Sequence, residues 1–248
     1  MDLDSALDVL RREAGLLAVA AGPALRRAVP YYPQWVVADL VVHTGRIHRW
    51  VTEIVRTQAA ERLAQPDVTA PRTPHGLTDW FMSGAADLAL SLQTTDPSER
   101  VWAFAGAGTA GFWRTRMALE TTIHRWDAQS ATRVPDPIPA DVARDGVTEA
   151  LTVYLQPRLR GAAVGGSGER VGLRCAGGTP AWAIRLLPDA VEIVDESDQA
   201  DTTLHGSAED LWLFLMGRRT LHDLEVAGSP AAAERCAAAI ALLPTPRR

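Results

Sequence analysis

Residues that could bind a metal ion recur at helical spacing in the stretch ALETTIHRWDA, residues 118–128. Glu120, His124 and Asp127 lie four and three positions apart, so an α-helix would place them on one narrow stripe. The residues around them are largely apolar, which predicts that this stripe faces the interior of the protein. A buried acid or imidazole is costly unless a partner satisfies it, and a bound cation is one such partner.

A second helical pattern, over residues 35–58, has the same feature. His43 stands at the centre of an apolar seam that also contains Val36, Leu40, Ile47, Trp50 and Ile54. The two helices would thus offer two imidazoles, those of His43 and His124, and one carboxylate, that of Glu120. This donor set with open positions suits catalytic zinc or ferrous iron. Asp127, one turn beyond His124, could orient that imidazole through its second ring nitrogen.

The same residues also fit an interpretation without a metal. A single histidine on an apolar face is often a core residue bonded to a carbonyl group, and Glu120 could pair with Arg116 or Arg46. Because the pattern Glu-x-x-x-His is short and common, spacing alone leaves both interpretations open. Four further histidines are expected outside the site, the first two solvated and the others flanking turns: His48, His75, His205 and His222.

Composition limits the classes of partner. The chain has 248 residues, a net charge of −5 and a pI near 5.7, which does not favour nucleic acid or an anionic membrane. All 25 basic residues are arginine, which is typical of a GC-rich, actinobacterial genome. Cys175 and Cys236 are too few for a disulfide scaffold and are expected to be buried thiols. Because the sequence shows neither a signal peptide nor an apolar run of membrane-spanning length, we expect a cytoplasmic protein.

The first half of the chain has the periodicity of helices. Apolar residues recur at intervals of three and four, and breaks rich in proline and glycine separate the segments. Four such segments with polar outer faces predict a four-helix bundle. The predicted helices are 5–28, 35–58, 77–93 and 109–131.

The second half changes to a period of two after a fifth helical segment at 140–159. VGLRC, AWAIRLL and AVEIVDE alternate apolar with polar residues, and LPDA between the last two predicts a hairpin. A helix that begins at Ser207, a strand LEVAG and a final helix opened by Ser229 complete an α+β pattern. We therefore expect a helical bundle over residues 1–160 and a small α+β domain over 161–248.

The helices WVVADLVVHTGRIHRW and ALETTIHRWDA resemble the two signature helices of the mycothiol-dependent maleylpyruvate isomerase family. Members of that family are DinB-like metal-binding four-helix bundles followed by a small α+β domain similar to sterol-carrier folds, and the order of domains here is similar. The resemblance implies that His43, Glu120 and His124 bind a divalent metal, usually taken as zinc. It also implies mycothiol as cosubstrate and no catalytic residues beyond the metal ligands. The GRR at 217–219 resembles a Gly-Arg pair of the family, which would place Arg218 at the thiol.

The chemistry implied by this resemblance is thiol activation. A thiol bound to a dication loses its proton near neutral pH, and the thiolate adds to an electrophilic carbon, giving isomerisation or S-transfer. The expected partners are therefore a small electrophile and a low-molecular-weight thiol, in a monomer or homodimer. Two other functions remain open: a non-catalytic small-molecule-binding or resistance protein, and a metal-dependent enzyme of the same bundle that uses water in place of a thiol.

Overall fold

The computed structural model describes residues 1–71, 73–104, 106–175, 181–195 and 199–243. The chain forms two compact units, the first covering Met1–Asp136 and the second beginning at Pro137. Among the described residues, no helix has both the length and the apolar composition that a membrane span requires.

The first unit contains the four predicted helices. They are α1 Leu3–Ala21, α2 Val37–Arg56, α3 Pro74–Thr94 and α4 Ala110–Ser130. Three of these helices follow a residue whose side chain caps the helix N-terminus, namely Asp2, Thr73 and Thr109. Helix α1 packs against α4 and α3, and α2 packs against α3. The predicted four-helix bundle is thereby confirmed in the first unit.

Two short hairpins that the sequence reading treated as breaks complete this unit. The first pairs β1 Ala28–Val29 with β2 Tyr32–Val36, and the second pairs β3 Arg100–Ala103 with β4 Gly106–Thr109. Strands of two to five residues are too short to give a clear period of two, which is why the pattern did not predict them. The first hairpin carries two aromatic residues, Tyr32 and Trp35, into the core.

Helix α4 lies in the interior of the bundle, since nearly every residue from Ala110 to Gln129 is buried. Its charged side chains must therefore find partners inside the protein. Arg125, which is 1% exposed, donates from Nε to Glu13 Oε2 of α1 at 2.7 Å. Its Nη1 donates to Gln129 Oε1 at 2.9 Å and to the carbonyl oxygen of Asp136 at 2.6 Å. Arg125 thus ties together α1, α4 and the segment that follows α4.

The second unit is the predicted α+β domain. Helix α5 Ala140–Glu149 continues through a π-helical segment Ala150–Leu155 into the short α6 Gln156–Arg158. A five-stranded sheet follows, with the order β7-β6-β5-β8-β9 and antiparallel pairs except for β5 with β8. Its strands are β5 Arg170–Cys175, β6 Ala181–Leu186, β7 Val191–Val194, β8 Thr202–Gly206 and β9 Glu225–Gly228. The remaining helices are α7 Ala208–Leu215, a 3-10 turn Leu221–Asp223 and α8 Pro230–Ala241.

The boundary between the units differs from the one expected at residue 160, because α5 belongs to the second unit. Gly146 of α5 lies so close to Trp212 of α7 that an added Cβ would stand 2.2 Å from the indole. Trp182 of β6 donates from Nε1 to Thr148 Oγ1 at 3.0 Å. These contacts anchor α5 on the sheet and α7, and a sequence pattern of helical period carries no information about which partner a helix packs against.

Candidate metal centre

Helices α2 and α4 bring His43, Glu120 and His124 together. Glu120 Oε1 lies 3.1 Å from His124 Nε2 and 3.6 Å from His43 Nε2. One donor atom from each of the three side chains lies within 4.8 Å of the other two. The same three residues were singled out from the sequence, and their convergence gives the donor set of two imidazoles and one carboxylate that divalent zinc accepts.

The buried charges of this cluster are coupled. Burial by itself would raise the pKa of Glu120, but the Arg116 guanidinium and His124 hold it well below its usual value. Burial by itself would lower the pKa of His124, but Glu120 and Asp127 raise it above its usual value. Both shifts favour negative charge on Glu120 and positive charge beside it, an electrostatic environment that would also favour a bound cation. Because a histidine binds a metal only through an unprotonated nitrogen, metal binding here would compete with protonation of His124.

Asp127 lies where the sequence predicted it. Its side chain is fully buried, and Oδ2 stands 3.1 Å from His124 Nδ1. This contact fixes the ring so that Nε2 points to Glu120. A carboxylate on the far nitrogen of a ligating histidine orients the ring and strengthens it as a donor. That orienting role for Asp127 is a proposal that follows from this geometry.

Access to the cluster is uneven. The His43 side chain is 23% exposed, whereas those of Glu120 and His124 are 9% and 4% exposed. Of the three side chains, that of His43 is therefore the one most open to solvent.

Two aromatic residues next to the cluster were missed by the sequence reading. The ring of Trp35 lies 5.0 Å from that of His43, and the ring of Tyr32 lies 6.4 Å from that of His124. Both come from β2 and are buried. The only sequence signal was the concentration of aromatic residues in the segment YYPQW, which precedes α2 directly. These rings pack beside the imidazoles and limit their freedom to rotate.

The prediction that His48 is solvated was wrong. His48 is fully buried, and its Nε2 lies 2.9 Å from Thr121 Oγ1. Since that hydroxyl donates to the Met117 carbonyl at 2.7 Å, it accepts from His48 Nε2. The buried face of α2 is centred on positions 37, 41, 44, 48, 51 and 55, one residue on from the seam expected through His43, and it extends to Leu40, Trp50 and Ile54 of that seam. A shift of one residue rotates a helix face by about 100°, so His43 borders the core while His48 lies within it.

Because His48 is buried, the protein should become less stable as the pH decreases. Burial lowers the pKa of His48 to about 3 from an ordinary value of 6.5. Below pH 6.5 the unfolded chain binds a proton that the folded protein does not, so the free energy of unfolding should decrease by roughly 3 kcal/mol between pH 6.5 and pH 4. Urea unfolding of wild type and His48→Gln across this range measures it, with the exposed His75→Gln as control. An unchanged pH dependence in His48→Gln would show that His48 does not carry the effect.

The remaining residues that the sequence analysis singled out, Arg218 and the two cysteines, lie in the second unit. Arg218, which follows α7, is 6% exposed and donates from Nη1 to the Met216 carbonyl at 2.5 Å. This contact caps the C-terminal end of α7, so the suggested role of Arg218 at the thiol stays a prediction. Cys175 and Cys236 are both buried free thiols, as expected. Burial raises the pKa of Cys175, and it raises that of Cys236 to about 12.

Comparison with known proteins identifies the family. Residues 6–129, half of the chain, match the family described as Mycothiol maleylpyruvate isomerase N-terminal domain. Two solved structures are similar in fold: the mycothiol-dependent maleylpyruvate isomerase, with a TM-score of 0.62, and a histidine-to-alanine mutant of that enzyme, with 0.63. Each is 15% identical in sequence, and the match covers 92% of this chain and 93% of that one. No curated protein is significantly similar to the chain in sequence. The chain belongs to the mycothiol-dependent maleylpyruvate isomerase family.

Proposed function

We propose that this protein is a mycothiol-dependent metalloenzyme that isomerises, or transfers the thiol to, a small electrophilic molecule. The observation that carries the proposal is the convergence of His43 Nε2, His124 Nε2 and Glu120 Oε1 within the family's helical domain. Two imidazoles and one carboxylate with an accessible side match the ligand set of catalytic zinc sites. Zinc is the ion that we propose for it.

Each residue would have a separate task. His43, Glu120 and His124 would hold the ion, and Asp127 would keep the His124 ring turned towards it. A dication held there would lower the pKa of a bound thiol, whose ordinary value near 8.5 leaves only a few per cent as thiolate at neutral pH. Trp35 and Tyr32, packed beside the two imidazoles, would restrict water on the inner side of the cluster.

The outcome of the reaction would depend on the electrophile. A thiolate that adds to a conjugated double bond converts it to a single bond, about which the adduct can rotate. Expulsion of the thiol then gives the isomer, whereas an adduct that keeps the thiol is the product of S-transfer. The identity of the family's solved enzymes favours the isomerase reaction as the first one to test.

Metal analysis followed by a thiol screen tests this proposal. We expect one divalent ion per chain after purification without chelators, and turnover of maleylpyruvate or another electrophile that requires both the ion and mycothiol. The matched controls are protein stripped of metal, the same protein with zinc restored, and N-acetylcysteine in place of mycothiol. Full activity of the stripped protein would reject any metal-dependent mechanism, whereas metal-dependent turnover without a thiol would favour the enzyme that uses water. Tight binding of the electrophile without turnover would favour the non-catalytic binding protein.

A further inference from the structure

The two carboxylate oxygens of Glu120 face different partners. Oε1 faces the imidazole nitrogens of His43 and His124, whereas Oε2 accepts a hydrogen bond from Arg116 Nη2. The side chains of Arg116 and Glu120 are 6% and 9% exposed. The arginine therefore lies inside the protein against the back of the candidate metal centre.

We propose that Arg116 restricts Glu120 to binding the ion through Oε1 alone and so keeps a coordination position open for the thiol. This inference rests on the proposed function, and it adds a positioning residue that the ligand set by itself does not reveal. Arg116 touches neither the thiol nor the electrophile in this proposal. It acts through Glu120.

The positions of Arg116 and Glu120 on α4 keep the hydrogen bond between them in place. Arg116 and Glu120 are one turn apart on α4, a helix that is buried along almost its whole length, so neither side chain can move far. If Glu120 turned both oxygens towards an ion, the hydrogen bond from Arg116 Nη2 to Oε2 would have to break where both side chains are largely shielded from water. Breaking a charged hydrogen bond that water cannot replace is unfavourable, which opposes two-oxygen binding.

The number of oxygens that Glu120 provides also influences which ion fits. One oxygen and two imidazoles give three protein donors, as in catalytic zinc sites that keep a fourth position open. A carboxylate that binds through both oxygens is typical of ions with larger coordination numbers, such as calcium. In addition, the Arg116 guanidinium draws electron density from the carboxylate. Glu120 would then be a weaker electron donor, and the ion would be a stronger Lewis acid. Both effects favour binding and activation of a thiol.

Cobalt substitution tests the proposal without measuring activity. Four-coordinate Co²⁺ gives intense visible absorption bands, and the bands weaken when a fifth ligand is added. We expect intense bands for the Co²⁺ form of wild type and of Arg116→Lys, which keeps a charged donor, and weak bands for Arg116→Met. The preference for Zn²⁺ over Mn²⁺, measured with a competing chelator, should fall by about tenfold or more in Arg116→Met, as is usual when a group that supports a metal ligand is removed.

Arg114→Met is the matched control. Arg114 is also buried on α4, but its Nε and Nη2 donate to the carbonyl groups of Leu92 and Thr95 rather than to Glu120. This variant should keep the wild-type cobalt spectrum even if it is less stable. A folded Arg116→Met protein with the wild-type spectrum and metal preference would overturn the inference.

A crystal structure of the wild-type protein with zinc bound tests the inference even if Arg116→Met does not fold. A single Glu120 oxygen on the ion, with Arg116 still bonded to the other, supports the inference. Two oxygens on the ion, with Arg116 turned away, contradict it. If wild type binds neither Co²⁺ nor Zn²⁺, the proposed function itself fails and this inference fails with it, which distinguishes that result from the others.

Discussion

Glu120→Gln should lose at least about 100-fold in affinity for its divalent ion, and the thiol-dependent activity should disappear with the ion. Removal of a group that only supports a metal ligand costs 10–100-fold, so removal of a ligand's charge should cost more. The substitution keeps the shape of the side chain and an oxygen that can accept from Arg116. Measurement of metal content and of zinc affinity against a chelator, beside turnover with mycothiol, would show both losses together.

The choice of glutamine follows from the ion pair with Arg116. Glutamine keeps the volume of the side chain and an oxygen that can accept from the buried Arg116, whereas Glu120→Ala would remove both. Its effects on activity and on folding would then be mixed. Glu53→Gln is the control, because Glu53 also pairs with an arginine of its own helix but is exposed. Normal metal content in a folded Glu120→Gln protein would contradict the assignment.

Arg125→Met should lower the free energy of unfolding by about 3–5 kcal/mol, because it leaves the Glu13 carboxylate buried without its close partner. Within the part of the chain that the structure describes, the charged partner that Glu13 would keep is Arg12, whose side chain is 48% exposed. The bonds to Gln129 and to the Asp136 carbonyl would be lost as well. Urea unfolding at neutral pH, followed by circular dichroism, gives the difference from wild type.

Two further variants separate charge from packing. The double variant Glu13→Leu with Arg125→Met removes both charges and should recover much of the lost stability, since well-packed apolar residues often replace a buried ion pair without loss. Arg133→Met should have little effect, because Arg133 pairs with Asp136 at the surface. Equal stability of Arg125→Met and wild type would mean that the buried pair contributes nothing to folding.

The sequence identified the three clustered residues better than it predicted the helix faces. His43, Glu120 and His124 could be selected because each is a polar residue at an apolar period, which is a local property. The rotation of α2 was harder, since two seams one residue apart are both largely apolar and each contains a histidine. Only packing against α3 and α4 decides that His48 is buried and His43 is partly exposed.

The partner of Glu120 illustrates a second limit. Spacing allowed Arg116 and Arg46 as partners and treated such a pair as an alternative to a metal. The structure places Arg116 on one carboxylate oxygen and the two histidines on the other, so a pair with arginine does not exclude a metal site at the same side chain. No periodicity could show this, because the orientation of a carboxylate depends on side chains from different helices. Tyr32 and Trp35 were missed for a similar reason, since their hairpin is too short to give a pattern.

The burial of Cys175 and Cys236 makes the chain itself a poor target for electrophiles. Alkylation proceeds through the thiolate, and the raised pKa values of these two thiols keep them protonated at neutral pH. They are also 6% and 0% exposed, so a reagent in solution meets almost no thiol on the protein. An enzyme that passes reactive carbon compounds to a small thiol would thereby avoid being inactivated by its own substrate. Its two thiols are protected by position, while in the proposed reaction the reactive sulfur belongs to a small molecule that can leave with the product and be replaced.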